Sequence, residues 1–380
     1  MSKTTLKIAA LAGDGIGPEI VREAIKVLRA VEKKQGLSLE IVEAPIGWAA
    51  IDQEGKALPD STVALCKKSE AILLGAVGLH YRDAEMPKEK RPERAALLQL
   101  RKQFGLFAQL RPVKLAASLA HASPLRPERL EKGVDVLVVR ESAGGDYYAY
   151  PRKTDEVIEV KEDGSTAHRV RRAIDTTALS ASEIERIAHV GFRAAWLRRK
   201  RITSVDKANV LETSILWREV VTEISGQYPD VTLEHMLVDT AALQMVLRPW
   251  HFDVVLCGNM MGDILGDVAA ALVGSLGTLP SASLGTLRHG RTFGLYQPAG
   301  GSAPDIAGKN VANPVAQILS AAMMLRYSFG SDPAAKAIEA AVEKVLAAGY
   351  RTPDIAGPGE PGIKPVSTSQ MGDAIAAAIR

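Results

Sequence analysis

Two aspartates lie four residues apart in the run Asn259-Met260-Met261-Gly262-Asp263-Ile264-Leu265-Gly266-Asp267. On a helix Asp263 and Asp267 then share one face. Like charges placed so repel unless a cation lies between them. The run follows an apolar strand-like segment, the position where open α/β sheets collect ligands. Carboxylate oxygens suit Mg2+ or Mn2+ better than zinc; two solvated helix carboxylates are the plain alternative. A third candidate, Asp239, closes the apolar segment Met236-Leu237-Val238. Lys207 stands at the C-terminal end of another strand-like run, Ile202–Val205. A lysine near apolar groups or a second cation can act as a base, although a surface lysine reads the same way. Arg101, Arg111 and Arg140 fall in or at the ends of helical or strand-like segments. Guanidinium forks bind carboxylates bidentately, so three that converged would hold a di- or tricarboxylate; singly, each is equally a salt-bridge partner. Tyr147, in Gly144-Gly145-Asp146-Tyr147-Tyr148, is on a glycine-tethered loop and is either a general acid or a packing residue.

Two glycine-rich stretches could approach a ligand closely. Gly13-x-Gly15-x-Gly17 follows a strand pattern and precedes a helix, but it is not the Gly-x-Gly-x-x-Gly dinucleotide fingerprint. Gly300–Gly308 is a long small-residue loop whose backbone amides could contact a ligand. Within it, Asp305 could accept hydrogen bonds from a ribose diol and would repel a 2′-phosphate.

The elements that must position these residues alternate. Strands are expected at Leu6–Ala12, Leu37–Ala44, Ala71–Val77, Val134–Arg140, Ile202–Val205 and Phe252–Cys257. Helices are expected from Pro18 to about Lys34, over Glu93–Phe104, after the capping box Ser180-Ala181-Ser182-Glu183, over Leu211–Ile224, and after Asn259. This alternation predicts an α/β architecture with a mostly parallel sheet. The charged segment 153–172, with Asp163-Gly164 inside it, predicts a projecting hairpin. Asn313-Pro314 predicts an N-cap and first-turn proline for a buried helix that carries no charge until Arg326, and the last helix is expected to start at Asp332-Pro333.

The chain has 380 residues, a soft prior of two to three domains at roughly 150 residues each. Its 47 basic and 44 acidic residues give +3, too small an excess to predict a nucleic-acid partner. The one long uncharged stretch, near 268–287, is broken by Gly and Pro, so no membrane span is expected. The N-terminus shows no signal-peptide pattern. Two cysteines, Cys66 and Cys257, make no disulfide framework, and a cytoplasmic location is expected.

Taken together, these segments resemble the β-hydroxyacid oxidative decarboxylases, the isocitrate/isopropylmalate dehydrogenase family, and its isopropylmalate branch most closely. The resemblance runs from Gly13-Asp14-Gly15-Ile16-Gly17-Pro18-Glu19 through Arg91-Pro92-Glu93, Leu110–Lys114, Val205–Glu212, Gly262-Asp263-Ile264-Leu265 and Leu279–Leu284 to Gly301–Gly308 and Ala312-Asn313-Pro314, in the family's order over nearly the whole chain. It implies a two-domain, non-Rossmann α/β fold with the active site in the interdomain cleft. Residues 1–106 plus 274–380 would bind cofactor; residues 107–273 would hold substrate and metal, form a homodimer and carry the hairpin as an intersubunit arm.

The residue roles implied by the resemblance are these. Asp239, Asp263 and Asp267 look like the Mg2+ or Mn2+ carboxylates, Asp239 reaching the neighbouring subunit's site and touching substrate. Arg101, Arg111 and Arg140 look like the binders of the malate carboxylates, and Leu97 and Leu98 like the apolar contact for an isopropyl group. Lys207 looks like the general base, acting across the dimer, and Tyr147 like the general acid. Gly301, Ser302, Ala303, Asp305, Ile306 and Asn313 look like the adenosine half of an NAD site, with Ile16 beside adenine and Gly78 and Glu93 on the nicotinamide side. Family members that use NADP tend to carry Lys and Tyr where this chain has Asp305-Ile306, so NAD is expected. The segment Ser142–Ala149 departs from the usual Leu-Thr-Gly-Gly-Ile-Tyr-Phe-Gly by bringing in Asp146 and Tyr148. A sister enzyme acting on another alkylmalate, D-malate or tartrate, and a catalytically silent ligand-binding paralogue, are the alternatives.

Overall fold

The computed structural model describes residues 5–160, 167–288, 290–357, 360 and 362–380. Its main strands are β1 (Leu6–Gly13), β2 (Leu39–Glu43), β3 (Ala71–Ala76), β4 (Ala108–Lys114), β5 (Asp135–Glu141), β6 (Lys153–Val160), β7 (Ala167–Ile174), β8 (Arg201–Asp206), β9 (Thr232–Leu237), β10 (Val254–Cys257), β11 (Pro280–Arg288) and β12 (Arg291–Pro298), and the two-residue strands Tyr350–Arg351 and Lys364–Pro365 pair separately. Ten of them form one continuous sheet in the order β2-β1-β3-β12-β11-β4-β5-β10-β8-β9.

Both flanks of the sheet are parallel: β2-β1-β3-β12 on one side and β5-β10-β8-β9 on the other. Their strands read as unbroken apolar runs. β3 (Ala-Ile-Leu-Leu-Gly-Ala) and β10 (Val-Val-Leu-Cys) are buried at every residue, as strands covered on both faces must be. The centre is antiparallel, through β12–β11, β11–β4 and β4–β5. The expectation of a mostly parallel sheet therefore holds for the flanks and misses the join. Of the four sheet strands that the sequence does not announce, β4, β11 and β12 build this join with β5, and β9 is the outer strand of the second flank.

Helix Gly17–Gln35 opens with Pro18 in its first turn and turns Ile20, Val21, Ala24, Val27, Leu28 and Val31 inward. The Ser180 capping box is present: the Ser180 hydroxyl accepts from the Glu183 N–H and the Glu183 carboxylate accepts from the Ser180 N–H at 2.8 Å. Helix Val315–Tyr327 is almost wholly buried, as its uncharged run requires. Its N-cap is Pro314 rather than Asn313, but the Asn313 side chain still accepts from the Val315 N–H at 3.0 Å. The helix Asp332–Ala347 is not the last. Thr368–Ala378 follows, with its own capping box from Ser367 and Gln370. Gly372 of that final helix packs so tightly on Glu23 that a Cβ would lie 1.9 Å from its carboxylate.

One apolar cluster includes residues from both flanks, from Leu6 and Leu28 to Phe192, Leu256 and Ile338. Two smaller clusters fill one flank each, around Val136, Phe252 and Leu265, and around Leu11, Leu74 and Leu100. Strands β6 and β7 pair antiparallel in a separate two-stranded sheet, which makes the expected hairpin; Asp163 and Gly164 lie outside the described residues. No helix among the described residues is long and apolar enough to cross a membrane.

Candidate active site

Helix Asn259–Ala271 springs from the end of β10, beside β5. Asp263 and Asp267 stand on it four apart. Arg140, near the end of β5, reaches Asp263 Oδ1 at 2.5 Å, and Arg111, from β4, pairs with Asp267. Both guanidinium groups can lie against this helix because glycines precede the two aspartates. A Cβ at Gly262 would sit 2.7 Å from Arg140 Cγ, and one at Gly266 would sit 2.8 Å from Arg111 Nη1. The repeat Gly-Asp-x-x-Gly-Asp thus alternates a groove for an arginine with the carboxylate that meets it.

Arg140 is further fixed by residues the sequence reading did not single out. Its Nε and Nη2 donate to Asn259 Oδ1 at 3.1 and 2.6 Å, and its Nη1 donates to Gln109 Oε1 at 3.0 Å. Asn259 is buried and donates in turn to the Gly144 carbonyl at 2.8 Å, which anchors the loop bearing Tyr147. The only signal for Asn259 in the sequence was a polar residue directly after a buried strand. Tyr147 Oη donates to Asp263 Oδ2 at 2.7 Å. Burial, then the hydrogen bond and charge of Asp263, push the Tyr147 hydroxyl up to about 12, so it holds its proton at neutral pH.

Arg101 is buried, and its Nε has no hydrogen-bond partner. Desolvation, then the charge of Arg140, lower its pKa to about 10. Tyr148 is pushed up by burial, against the pull of Arg101 and Arg140. Leu97 and Leu98 are half-buried. They close a π-helical turn, Glu93–Leu97, and open the helix Leu98–Gln103. Being three and four residues before Arg101, they share its helix face. A π-turn is itself frequent at functional positions.

Lys207 and Asp239 form a second group. Lys207 follows β8, and Asp239 lies in the first turn of helix Val238–Leu247 after the parallel neighbour β9. Lys207 Nζ donates to Asp239 Oδ1 at 2.8 Å, and this bond is the main reason the Asp239 pKa is lowered. Asp239 is not grouped with Asp263 and Asp267: among the described residues no three metal-ligating side chains come together within one chain.

The third group sits at the C-terminal ends of β1, β3 and β12. The Ile16 N–H donates to the Ser302 carbonyl at 2.8 Å. Gly15, at φ +58°, allows this approach, since a Cβ there would lie 2.0 Å from that same carbonyl oxygen. Buried Asp14 accepts from the Gly78 N–H at 2.7 Å and the Ala49 N–H at 3.0 Å, and so joins Gly78 to the same turn. Gly301 is exposed; Ala303 is left-handed at φ +38°; Asp305 and Ile306 lie in the short turn Pro304–Ile306, with Asp305 exposed. Asn313 is fixed by Asp354 at 3.0 Å. Glu93 is exposed, and its charge is felt at Arg101.

Comparison with known proteins agrees with the geometry. The family description isocitrate/isopropylmalate dehydrogenase matches residues 7–375. The chain is 56% identical over 375 residues to a 3-isopropylmalate dehydrogenase of Syntrophotalea carbinolica, covering 99% of this chain and 98% of that one. Among solved structures it resembles an isocitrate dehydrogenase of Methylococcus capsulatus (TM-score 0.79, 32% identity, 99% of each chain). It also resembles a beta-decarboxylating dehydrogenase of Thermococcus kodakarensis (TM-score 0.75, 31% identity, 98% of this chain and 96% of that one). A large mixed α/β sheet with arginine–carboxylate clusters at its strand ends, in this company, makes the chain a decarboxylating dehydrogenase. It belongs to the isocitrate/isopropylmalate dehydrogenase family.

Proposed function

We propose that the protein catalyses NAD-dependent, divalent-metal-assisted oxidative decarboxylation of 3-isopropylmalate to 2-oxo-4-methylpentanoate, the reaction of leucine biosynthesis. The observation that carries this reading is the buried Arg101, whose Nε has no hydrogen-bond partner and which feels the charge of Arg140. A buried guanidinium with an unmet donor, in the field of a second arginine, calls for an anion, and a substituted malate brings two carboxylates. Leu97 and Leu98, on the face of Arg101, give its side chain an apolar neighbour. They offer nothing to a third carboxylate, which disfavours isocitrate.

The acidic helix fits a hard cation. Asp263 and Asp267 present oxygen donors side by side, with the charge of each now balanced by an arginine. A third carboxylate, Asp239, would arrive from a second copy of the chain, bringing Lys207 with it. Ile215, Leu243, Val246, Leu247, Met260 and Ile264 are exposed on the helices Glu212–Ser225, Val238–Leu247 and Asn259–Ala271, apolar surface that a second copy would cover. The divalent ion would draw electrons from the substrate hydroxyl and carbonyl oxygens, and NAD would supply the hydride acceptor.

The protein groups then divide the work. Arg101, Arg111 and Arg140 orient the two carboxylates. Lys207 takes the hydroxyl proton. Tyr147, whose phenol is protonated at neutral pH and held still further from ionising by burial and Asp263, returns a proton to the carbon from which CO2 has left. Residues 1–106 plus 274–380, which contain Ile16, Gly78, Glu93, Gly301–Ile306 and Asn313, form the cofactor half, and Asp305 selects against a 2′-phosphate. Residues 107–273 form the substrate and metal half, and a cytoplasmic setting suits two reduced, buried cysteines.

A substrate panel tests the reading. With NAD and Mn2+, NADH formation is expected to be fastest on 3-isopropylmalate and much slower on D-malate, tartrate and isocitrate. Faster turnover of any other acid rejects the substrate, and no NADH from any of them rejects catalysis.

A further inference from the structure

Tyr147 is 37% exposed, so packing alone does not hold it in place. Its loop contains a short turn, Gly145–Tyr147, that begins with a glycine at φ +67° and is preceded by another glycine, a segment with much freedom to lose. We propose that Asp146 is a positioning residue that ties this loop to the helix bearing Asp263. This inference rests on the reading of Tyr147 as the proton donor.

Asp146 Oδ2 accepts from the Met260 N–H at 3.3 Å, and Asp146 Oδ1 accepts from Thr177 Oγ1. The Met260 N–H belongs to the first turn of its helix, where backbone donors have no intrahelical partner. A carboxylate at that end also meets the positive pole of the helix. Met260 and Asp263 are three apart, so they share a face. Consecutive loop residues, Asp146 and Tyr147, thus grip the same helix at positions 260 and 263. Arg152 closes the loop from the other side. It donates to the carbonyls of Asp146 and Tyr147, the latter at 2.7 Å, and its Nε is held by Asp175 at 2.9 Å. Both Asp146 oxygens are engaged as acceptors, so the residue acts through Tyr147 rather than on substrate.

The test is a double-mutant cycle of Asp146→Ala with Tyr147→Phe in the full-length chain, assayed with NAD, Mn2+ and 3-isopropylmalate. Hydrogen exchange of the peptides covering 144–148 and 258–263 is measured alongside. Asp146→Ala is expected to lower kcat on the order of tenfold while KM changes less than about twofold, because it misplaces an acid without removing a substrate contact. In the Tyr147→Phe background the same substitution should change kcat by less than about twofold. Both peptides should exchange faster, and Asp146→Asn, which keeps one acceptor oxygen, should recover part of the rate. Equal losses in both backgrounds, a wild-type kcat, or unchanged exchange overturns the proposal. If the wild-type chain oxidises no substituted malate, the functional reading falls by itself, and exchange still decides whether Asp146 holds the loop.

Discussion

Arg101 is buried and repelled by Arg140, an unfavourable arrangement that the proposed substrate's carboxylate would relieve. Its lowered pKa means that the cationic form is less stable in the fold than in the unfolded chain. Arg101→Met removes that penalty at similar length. The ligand-free chain should melt at the same temperature or a few degrees higher, while KM for the malate substrate rises on the order of a hundredfold. Calorimetry and steady-state kinetics check this; a lower midpoint with an unchanged KM would make Arg101 structural. At this scale the sequence showed the right residue types, because Asp, Lys, Arg and Tyr announce their chemistry wherever they stand. It could not show that Asn259 and Gln109 hold Arg140, since an amide looks the same whether it faces water or a guanidinium.

At the scale of the element, the helix Asn259–Ala271 makes a sharper statement. Gly262 faces Arg140 Cγ and Cβ, close to a fixed backbone, whereas Gly266 faces the tip of the Arg111 side chain. Gly262→Ala should therefore cost about 1–3 kcal/mol of stability through overpacking. Gly266→Ala should be cheaper in stability, because a flexible tip can move, but should raise the substrate KM by displacing the guanidinium. Denaturant unfolding and kinetics on the two variants separate these effects; equal stability losses with unchanged KM would count against the groove. Most elements were legible from capping boxes, prolines and apolar period, which are local signals. The final helix Thr368–Ala378 had such a signal in Ser367 and Gln370 and was still missed. The central strands β4, β11 and β12 are interrupted by prolines, glycines and serines, and only pairing with neighbours makes them strands.

At the scale of the whole molecule, Lys207 and Asp239 form one group and Tyr147, Arg140 and Asp263 another. In the mechanism proposed above, a site that needs both would be completed by two chains. Mixing unfolded Lys207→Ala and Asp263→Ala chains, each inactive alone, and refolding them together should restore up to about a quarter of wild-type activity, since half the dimers are mixed and each then has one intact site. Failure to restore any activity, with mixed dimers shown to form, would place the base within its own chain.

The sequence alone determined the α/β alternation, the carboxylate pair on one helical face and the family resemblance, because periodicity, capping and motif spacing act over a few residues. Only the tertiary structure decided that two oppositely directed parallel sheets join through an antiparallel centre, and that Arg140 meets Asp263 across 123 residues of chain. It also decided that Arg101 stays without a partner at its Nε. Those outcomes depend on which distant groups are buried together, and burial is settled by the whole chain at once.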